Sequence, residues 1–459
     1  MTPPPAGVLA SGAHLLRDAA LFTDLYELTM AAAWFQAEVR ATATFSLFVR
    51  RLPPGRGFLL AAGLEDVLEY LRALRFTPEA LAWLGSLDRF DPSFLDYLGG
   101  LRFSGGVRAM PEGTALFGDE PLLEITGPLI EAQLVETAVI NLVHLPTLVA
   151  SKAVRSVLAA EGRPLAEFGL RRAHGTDAGM KAARAAWIAG FESTSNVLAG
   201  KLDGIPLSGT MAHSFVSAYG DELAAFRAYA TAHPDDCVLL LDTYDTVAAA
   251  HRAVQVAAEL AARGHRLAGV RIDSGDLDQL SRAVRRVLDE GGAAGVPIIA
   301  SGGLDEDDVA ALVAAGAPIG AFGLGTRIDT SADAPSLDLV YKLVRVDDRD
   351  VLKLSPGKET WAGPKAVHRF LGADALFERD RLAAADEPVP PGAVSLLEPA
   401  MAEGALLRPH PSLDEIRARA AAQVAALPEP VRRLRGPGQY PLEISPVLRE
   451  RQAAARAGH

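Results

Sequence analysis

One histidine, three arginines, three aspartates and two glycine runs carry most of the reactive chemistry legible in this chain. His213 lies in GTMAHS, with Thr210 three residues before it and Ser214 directly after it. A histidine in that company can serve as a general acid or base, or as a nucleophile toward phosphorus. Its residues alone leave that choice open, and a packed or surface histidine is the plainer reading. ASGG (Ser301, Gly302, Gly303) and FGLGT (Gly323, Gly325, Thr326) are runs whose backbone N–H groups can approach a phosphate. Read singly, each is equally an ordinary turn after a strand; two on consecutive units point to a phosphate site. Arg171, Arg172 and Arg271 offer planar forks suited to a carboxylate or phosphate. Asp242, Asp273 and Asp276 can bind Mg²⁺, orient a ribose hydroxyl or stabilise a cationic sugar centre. Structural pairing with the same arginines is the alternative. No Gly-x-Ser-x-Gly, His-Glu-x-x-His or P-loop pattern is present.

These residues need elements to bring them together. From about residue 165 short apolar runs recur, each closed by polar or glycine residues and followed by a helical stretch. The runs are Ala166–Gly169, Ala189–Phe191, Ile205–Leu207, Val238–Leu241, Leu267–Ile272, Pro297–Ala300 and Ile319–Gly323. Their spacing is that of βα units, which predicts an α/β fold with an irregular parallel (β/α) barrel; an open doubly wound sheet is the alternative. In a barrel all the polar run ends converge on one face. Residues 1–20 are expected to be a loose arm, 21–164 an N-terminal α+β domain, 165–345 the barrel, and 346–459 a C-terminal extension packed on the rest. Within the N-terminal part, helices are expected at 21–38, 59–74, 78–86 and 131–161, a strand at 42–50 and short β runs over 105–130. Beyond 345, proline-rich stretches alternate with Ala/Arg/Glu-rich helical ones.

Composition narrows the class. The chain has 459 residues, 49% hydrophobic and 22% charged, the profile of a globular enzyme of two or three domains. Its net charge of −12 argues against a nucleic-acid backbone as the main partner, though not against a local basic pocket. The single Cys237 excludes a disulfide framework and a cysteine zinc site. Thr137–Ala150, the most apolar stretch, carries Asn141, His144 and Pro146 and is too short for a bilayer. With no signal-peptide pattern at the N-terminus, a cytoplasmic location is expected. Only seven of the 45 cationic residues are lysines, so a lysine in a polar, glycine-containing setting draws notice.

The motifs TDLYELTM, EFGLRRAHGTDAGM, GFESTSN, SGTMAHSFV, LLLDTYDT, GVRIDSGDL, IIASGGLDE, FGLGTRIDT and KLSPGKETWAGPK run in order from about residue 22 to 368. In these the chain resembles the nicotinate phosphoribosyltransferases, of the type II phosphoribosyltransferase superfamily. The resemblance implies joining of nicotinate to phosphoribosyl pyrophosphate, driven by ATP through a phosphohistidine, as the first step of NAD synthesis from nicotinate. It places the phosphohistidine at His213. It implies ring stacking by Tyr26, borrowed from the neighbouring subunit of a dimer, and by Phe168. Thr210, Arg271 and Arg171 are then the nicotinate residues. Gly302, Gly303, Gly325, Thr326, Lys342 and Lys358 fall at the phosphoribosyl pyrophosphate site, with Lys365 in the same stretch. Arg271 and Asp273 are expected in the chemistry, with Mg²⁺ at Asp273 or Asp276. Ser195 stands where nicotinamide-using relatives have an aspartate; a neutral side chain there suits an acid better than an amide. Glu192 and Ser193 depart from the expected local pattern, where a nearby glycine was anticipated. A quinolinate phosphoribosyltransferase, which needs more positive charge and no ATP, and a non-catalytic sensor are the rival readings.

Overall fold

The computed structural model describes residues 18–355 and 359–457. Two compact units divide it: Lys152–Asp333, and the described residues up to Ser151 together with those from Ala334 onward. The barrel unit therefore starts and stops about a dozen residues earlier than the sequence texture places it. Pairing explains the later boundary. Leu339–Val346 lies antiparallel beside Thr42–Val49, so the residues after 333 belong to the first unit's sheet.

That sheet has seven strands, and 121–128 and 106–109 extend it on the far side of 42–49. Helices Leu25–Gln36, Leu64–Ala73, Pro78–Gly85 and Pro92–Gly100 belong to the same unit. Pro78–Gly85 and Pro92–Gly100 each begin with proline at the first turn after a capping Thr77 or Asp91. The helix at 92–100 is absent from the sequence reading, which also ran one helix through the strand at Leu59–Leu60. The C-terminal part departs most from expectation. Alongside helices Leu413–Ala426 and Pro446–Ala457 it is rich in strands, and Glu398–Ala402 joins the edge of the seven-stranded sheet at Gly106–Ala109. Strands 365–371 and 377–384 centre a separate four-stranded sheet. These strands carry Arg369 and Asp380, a buried pair whose closest contact is 2.6 Å, and such buried charges hide the apolar alternation that announces a strand. Most of the expected arm, residues 1–17, lies outside the described residues.

The barrel unit matches its expected texture closely. Six parallel strands form one sheet: Leu165–Glu167, Ser193–Thr194, Val238–Leu240, Gly269–Ile272, Ile298–Ala300 and Ala321–Leu324. The last strand pairs with the first, which is the closure a barrel requires. Ile205–Leu207 contributes one parallel bridge, Leu207 to Thr194, and no ladder joins it to Val238–Leu240. The result is an irregular, incompletely closed barrel. The run Ala189–Phe191 is not itself a strand: Ala189 ends helix Thr176–Ala189, Gly190 turns the chain, and pairing begins at Ser193. Leu239, Leu240, Val270, Ile272 and Ile298 are buried together with the inner faces of the surrounding helices, as expected for parallel strands covered on both sides.

The helix Glu136–Ala160 is long and apolar enough to cross a membrane by length and composition. Two thirds of its most apolar window is buried within the protein (67%), the condition of a core helix.

Candidate active site

The strand ends of the barrel unit build the site. Phe168 follows the first strand, and its N–H donates to the Leu324 carbonyl of the last (2.6 Å). The chain then makes a short 3-10 turn, Leu170–Arg172, that carries Arg171 and Arg172. Phe168, Thr210 and Arg271 line a cavity of 370 Å³ that also reaches the strand starts at Leu165 and Val238 and the acidic Glu192, Asp235 and Asp236. Arg271 projects from the fourth strand, and one of its Nη atoms donates to the Met211 carbonyl (3.2 Å). Its Nε is buried without a hydrogen-bond partner. Burial lowers its pKa, Asp273 and Asp242 oppose that effect, and the charge of Arg171 adds to it. Two guanidinium groups, one desolvated and with an unused donor, have the chemistry to accept a small carboxylate.

Beside it lies an anion-and-hydroxyl cluster. Asp242 Oδ2 accepts from the Asp273 N–H (3.2 Å) and the Ser274 hydroxyl (2.5 Å). Asp242 Oδ1 is buried and has no partner. Asp273 Oδ1 accepts from the Ser301 hydroxyl. Gly302 then turns the chain with φ +103°, and a Cβ there would sit 1.8 Å from the Asp273 carbonyl oxygen, so only glycine fits. Gly303 follows with φ +73° and open space on its Cβ side. Gly325 precedes a single helical turn, Thr326–Asp329, and Thr326 is exposed. His213 is exposed at the start of helix His213–Tyr219, with Nδ1 3.2 Å from the Thr243 hydroxyl.

The structure thus brings Phe168, Arg171, Thr210 and Arg271 together, and joins Asp273 to the Gly302 turn. Ser195 is half-buried at the end of the second strand, its N–H held by the Glu167 carbonyl (2.9 Å). Other expectations fare differently. Asp276 caps helix Leu277–Glu290 by accepting from the Gln279 N–H through Oδ1 (3.0 Å), so a structural duty engages one of its two oxygens. Lys365 is buried, with Nζ donating to the Gly363 carbonyl (2.7 Å) and facing Glu124, which leaves it no reach toward a phosphate. Burial also lowers its pKa. Lys342 lies on Leu339–Val346 near Glu136 in the other unit, as does Tyr26, 46% exposed on helix Leu25–Gln36 with its hydroxyl against Glu136. Lys358 lies outside the described residues. Among the described residues, no group of three or more His, Cys, Asp or Glu side chains is arranged to hold a metal ion. Thr243 and Ser274 were not singled out from sequence; each directly follows a strand-end aspartate, and that adjacency is the signal that could have found them.

A parallel barrel with an arginine pair, an aspartate cluster and glycine turns at its strand ends defines an enzyme of anionic small molecules. Family models agree on which one. Residues 21–144 match the nicotinate phosphoribosyltransferase N-terminal domain, and residues 389–452 match its C-terminal domain. A nicotinate phosphoribosyltransferase of Mycobacterium tuberculosis is 48% identical, covering 93% of this chain and 91% of the relative. Another from Bacillus subtilis is 39% identical over 93% of this chain and 92% of its own length. The crystal structure of human nicotinic acid phosphoribosyltransferase superposes with a TM-score of 0.82 at 34% identity, covering 95% of this chain and 99% of that one. The chain belongs to the nicotinate phosphoribosyltransferase family, enzymes of NAD synthesis whose substrates are nicotinate and phosphoribosyl pyrophosphate.

Proposed function

We propose that this chain forms nicotinate mononucleotide and pyrophosphate, and that ATP hydrolysis drives the step through phosphorylation of His213. The arginine pair beside the Phe168 cavity is the observation that supports it most. Nicotinate's carboxylate docks on Arg271 and Arg171 while its ring lies on Phe168 and Thr210 fixes its edge. Tyr26 of a neighbouring subunit covers the other ring face, by resemblance to the family. Ser195 near the ring adds no negative charge to repel the acid.

The pyridine nitrogen attacks C1 of the ribose. A bond from nitrogen to C1 forms as the C1–oxygen bond breaks, and the electron pair leaves with pyrophosphate. The transition state resembles an oxocarbenium ion, so alignment and charge stabilisation supply the rate. Gly302, Gly303, Gly325 and Thr326 cradle phosphates through backbone and hydroxyl donors, with Lys342 and Lys358 assigned there by resemblance alone. Asp273 and Asp242 are the carboxylates suited to Mg²⁺, because Asp242 keeps one buried oxygen unpartnered and two carboxylates plus substrate phosphates suit that ion. When bound, Mg²⁺ offsets the charge developing on pyrophosphate. In the tautomer that keeps the proton on Nδ1, the nitrogen 3.2 Å from the Thr243 hydroxyl, the His213 Nε2 lone pair attacks the γ-phosphorus of ATP; the bond to the β,γ-bridging oxygen breaks, ADP leaves with its electron pair, and water later hydrolyses the phosphohistidine to phosphate. The new phosphoryl group brings about two negative charges, which changes affinity for the anionic substrates and couples the two reactions. A cytoplasmic site of action goes with these substrates.

Pyrophosphate release tests the reading. We expect release with nicotinate and not with nicotinamide, stimulated by ATP. His213→Ala should abolish the stimulation and retain slow ATP-independent transfer. Equal ATP stimulation in variant and wild type, or a preference for nicotinamide, overturns it.

A further inference from the structure

Two carboxyl groups meet in the barrel unit beneath the turn that carries Phe168 and Arg171. Glu167 ends the first strand and is 1% exposed; Asp329 ends the helical turn after the last strand and is 2% exposed. As two carboxylates neither can donate, and both oxygens of Asp329 are then buried without a partner. One proton held between them turns the contact into a hydrogen bond. Like charges so close in a buried site cannot both ionise easily. Burial first, and then Glu167, push the pKa of Asp329 up to about 8, and burial raises that of Glu167 as well.

The pair is a hub for the nicotinate side of the site. Glu167 accepts from the Gly169 N–H and from the Thr194 hydroxyl (2.5 Å), and its own carbonyl accepts from the Ser195 N–H (2.9 Å). Gly169 sits directly on Asp329: a Cβ there would lie 2.3 Å from the carboxyl carbon. The Gly169 carbonyl in turn accepts the Arg172 N–H (2.7 Å), closing the turn around Arg171. Phe168, Arg171 and Ser195 are therefore all within one or two bonds of the pair.

We propose that Glu167 and Asp329 are positioning residues that share one proton, and that nicotinate binding requires that proton. This rests on the nicotinate reading above. Loss of the proton places two charges against the backbone of Gly169, displaces the turn, and moves Phe168 off the cavity and Arg171 away from Arg271. The charged groups on neighbouring elements are otherwise engaged or remote from this effect. Lys181 holds Asp177 (2.9 Å) on helix Thr176–Ala189, which also carries Arg184, and Arg327 holds Asp305. Arg171 and Arg172 are exposed on the turn itself.

The experiment is nicotinate kinetics on the full chain from pH 6.5 to 9.5, wild type against Asp329→Asn. An asparagine amide donates to Glu167 at every pH. In the wild type, KM for nicotinate should rise above about pH 8 and approach tenfold per pH unit, with kcat nearly flat. In Asp329→Asn that rise should vanish. A variant that keeps the wild-type rise, or a wild type without one, overturns the proposal. Thermal unfolding gives a readout independent of turnover. An acid whose folded pKa is raised is ionised first in the unfolded chain, so it lowers stability as pH climbs from its ordinary value to the folded one. The melting temperature of Asp329→Asn should gain on the wild type between pH 4 and 8 and then level off. A constant difference across that range refutes the shared proton. Absence of nicotinate turnover in the wild type at pH 7 sinks the functional reading instead, and leaves the thermal test of the pair standing.

Discussion

Arg271 is where the proposed binding and chemistry meet. Its guanidinium is held by a single carbonyl contact and keeps a buried Nε unpaired, so the free protein carries an incompletely satisfied cation. The carboxylate of the proposed substrate completes it. Hydrogen bonds between charged partners contribute about 1.5–3 kcal/mol each, and Arg271→Ala is expected to raise KM for nicotinate roughly ten- to a hundredfold. The smaller change in kcat should separate this from a loss of the chemical step, and steady-state kinetics with nicotinate varied checks it. An unchanged KM would remove Arg271 from the carboxylate site. Asp242 shows the same pattern in the opposite charge: one oxygen fixes the Asp273 backbone and the other faces no donor.

At the scale of elements, the turns after strands do the positioning. The Gly302 turn fits against the Asp273 carbonyl so tightly that the fourth and fifth strands deliver their polar ends as one piece. Asp276 illustrates how a helix start competes with catalysis for the same residue type. Its carboxylate caps the helix that follows the fourth strand. Asp276→Ala should lower stability by about 1 kcal/mol and leave the Mg²⁺ concentration needed for half-maximal activity unchanged. A melting curve and a Mg²⁺ titration of the same variant distinguish the two duties; a shifted Mg²⁺ requirement would return Asp276 to the metal. Much of this element level was legible: five of the seven expected runs hold barrel strands, and the turns that close them carry the expected residues. The run Ala189–Phe191 was misplaced by a few residues because alanine-rich helix and apolar strand are alike in composition.

At the scale of the molecule, the net charge is −12, while Arg171 and Arg271 lie near enough at the strand ends of the barrel unit for the one to act on the other. In a protein of net negative charge, anions are drawn in where arginines concentrate the field. The proposed dimer belongs to this scale, because Tyr26 lies in a different compact unit from Phe168 and Arg271 and the family resemblance supplies it from a neighbouring subunit. Mixing two variants that are each impaired at nicotinate concentrations well below KM tests it, with the assay run at such a concentration. Tyr26→Ala and Arg271→Ala chains, co-expressed in equal amounts, should recover about a quarter of wild-type activity, since half the dimers are mixed and each restores one of two sites. Activity that stays at the level of the separate variants would mean each chain supplies its own tyrosine, or that no dimer forms.

The sequence by itself determined the barrel's alternation, the polar residues at its strand ends and the family, because period, spacing and motif are local and survive without coordinates. It did not determine the unit boundaries, since strand 339–346 pairs with strand 42–49 across nearly three hundred residues of chain. Nor could it separate Asp273 in the site from Asp276 in a helix cap, or Lys365 buried against Glu124 from a lysine free to meet phosphate. Those outcomes depend on which donors and acceptors arrive nearby in space. The Glu167–Asp329 pair was invisible for the same reason: 162 positions separate two ordinary acidic residues in the chain, and only closure of the last barrel strand onto the first sets them face to face.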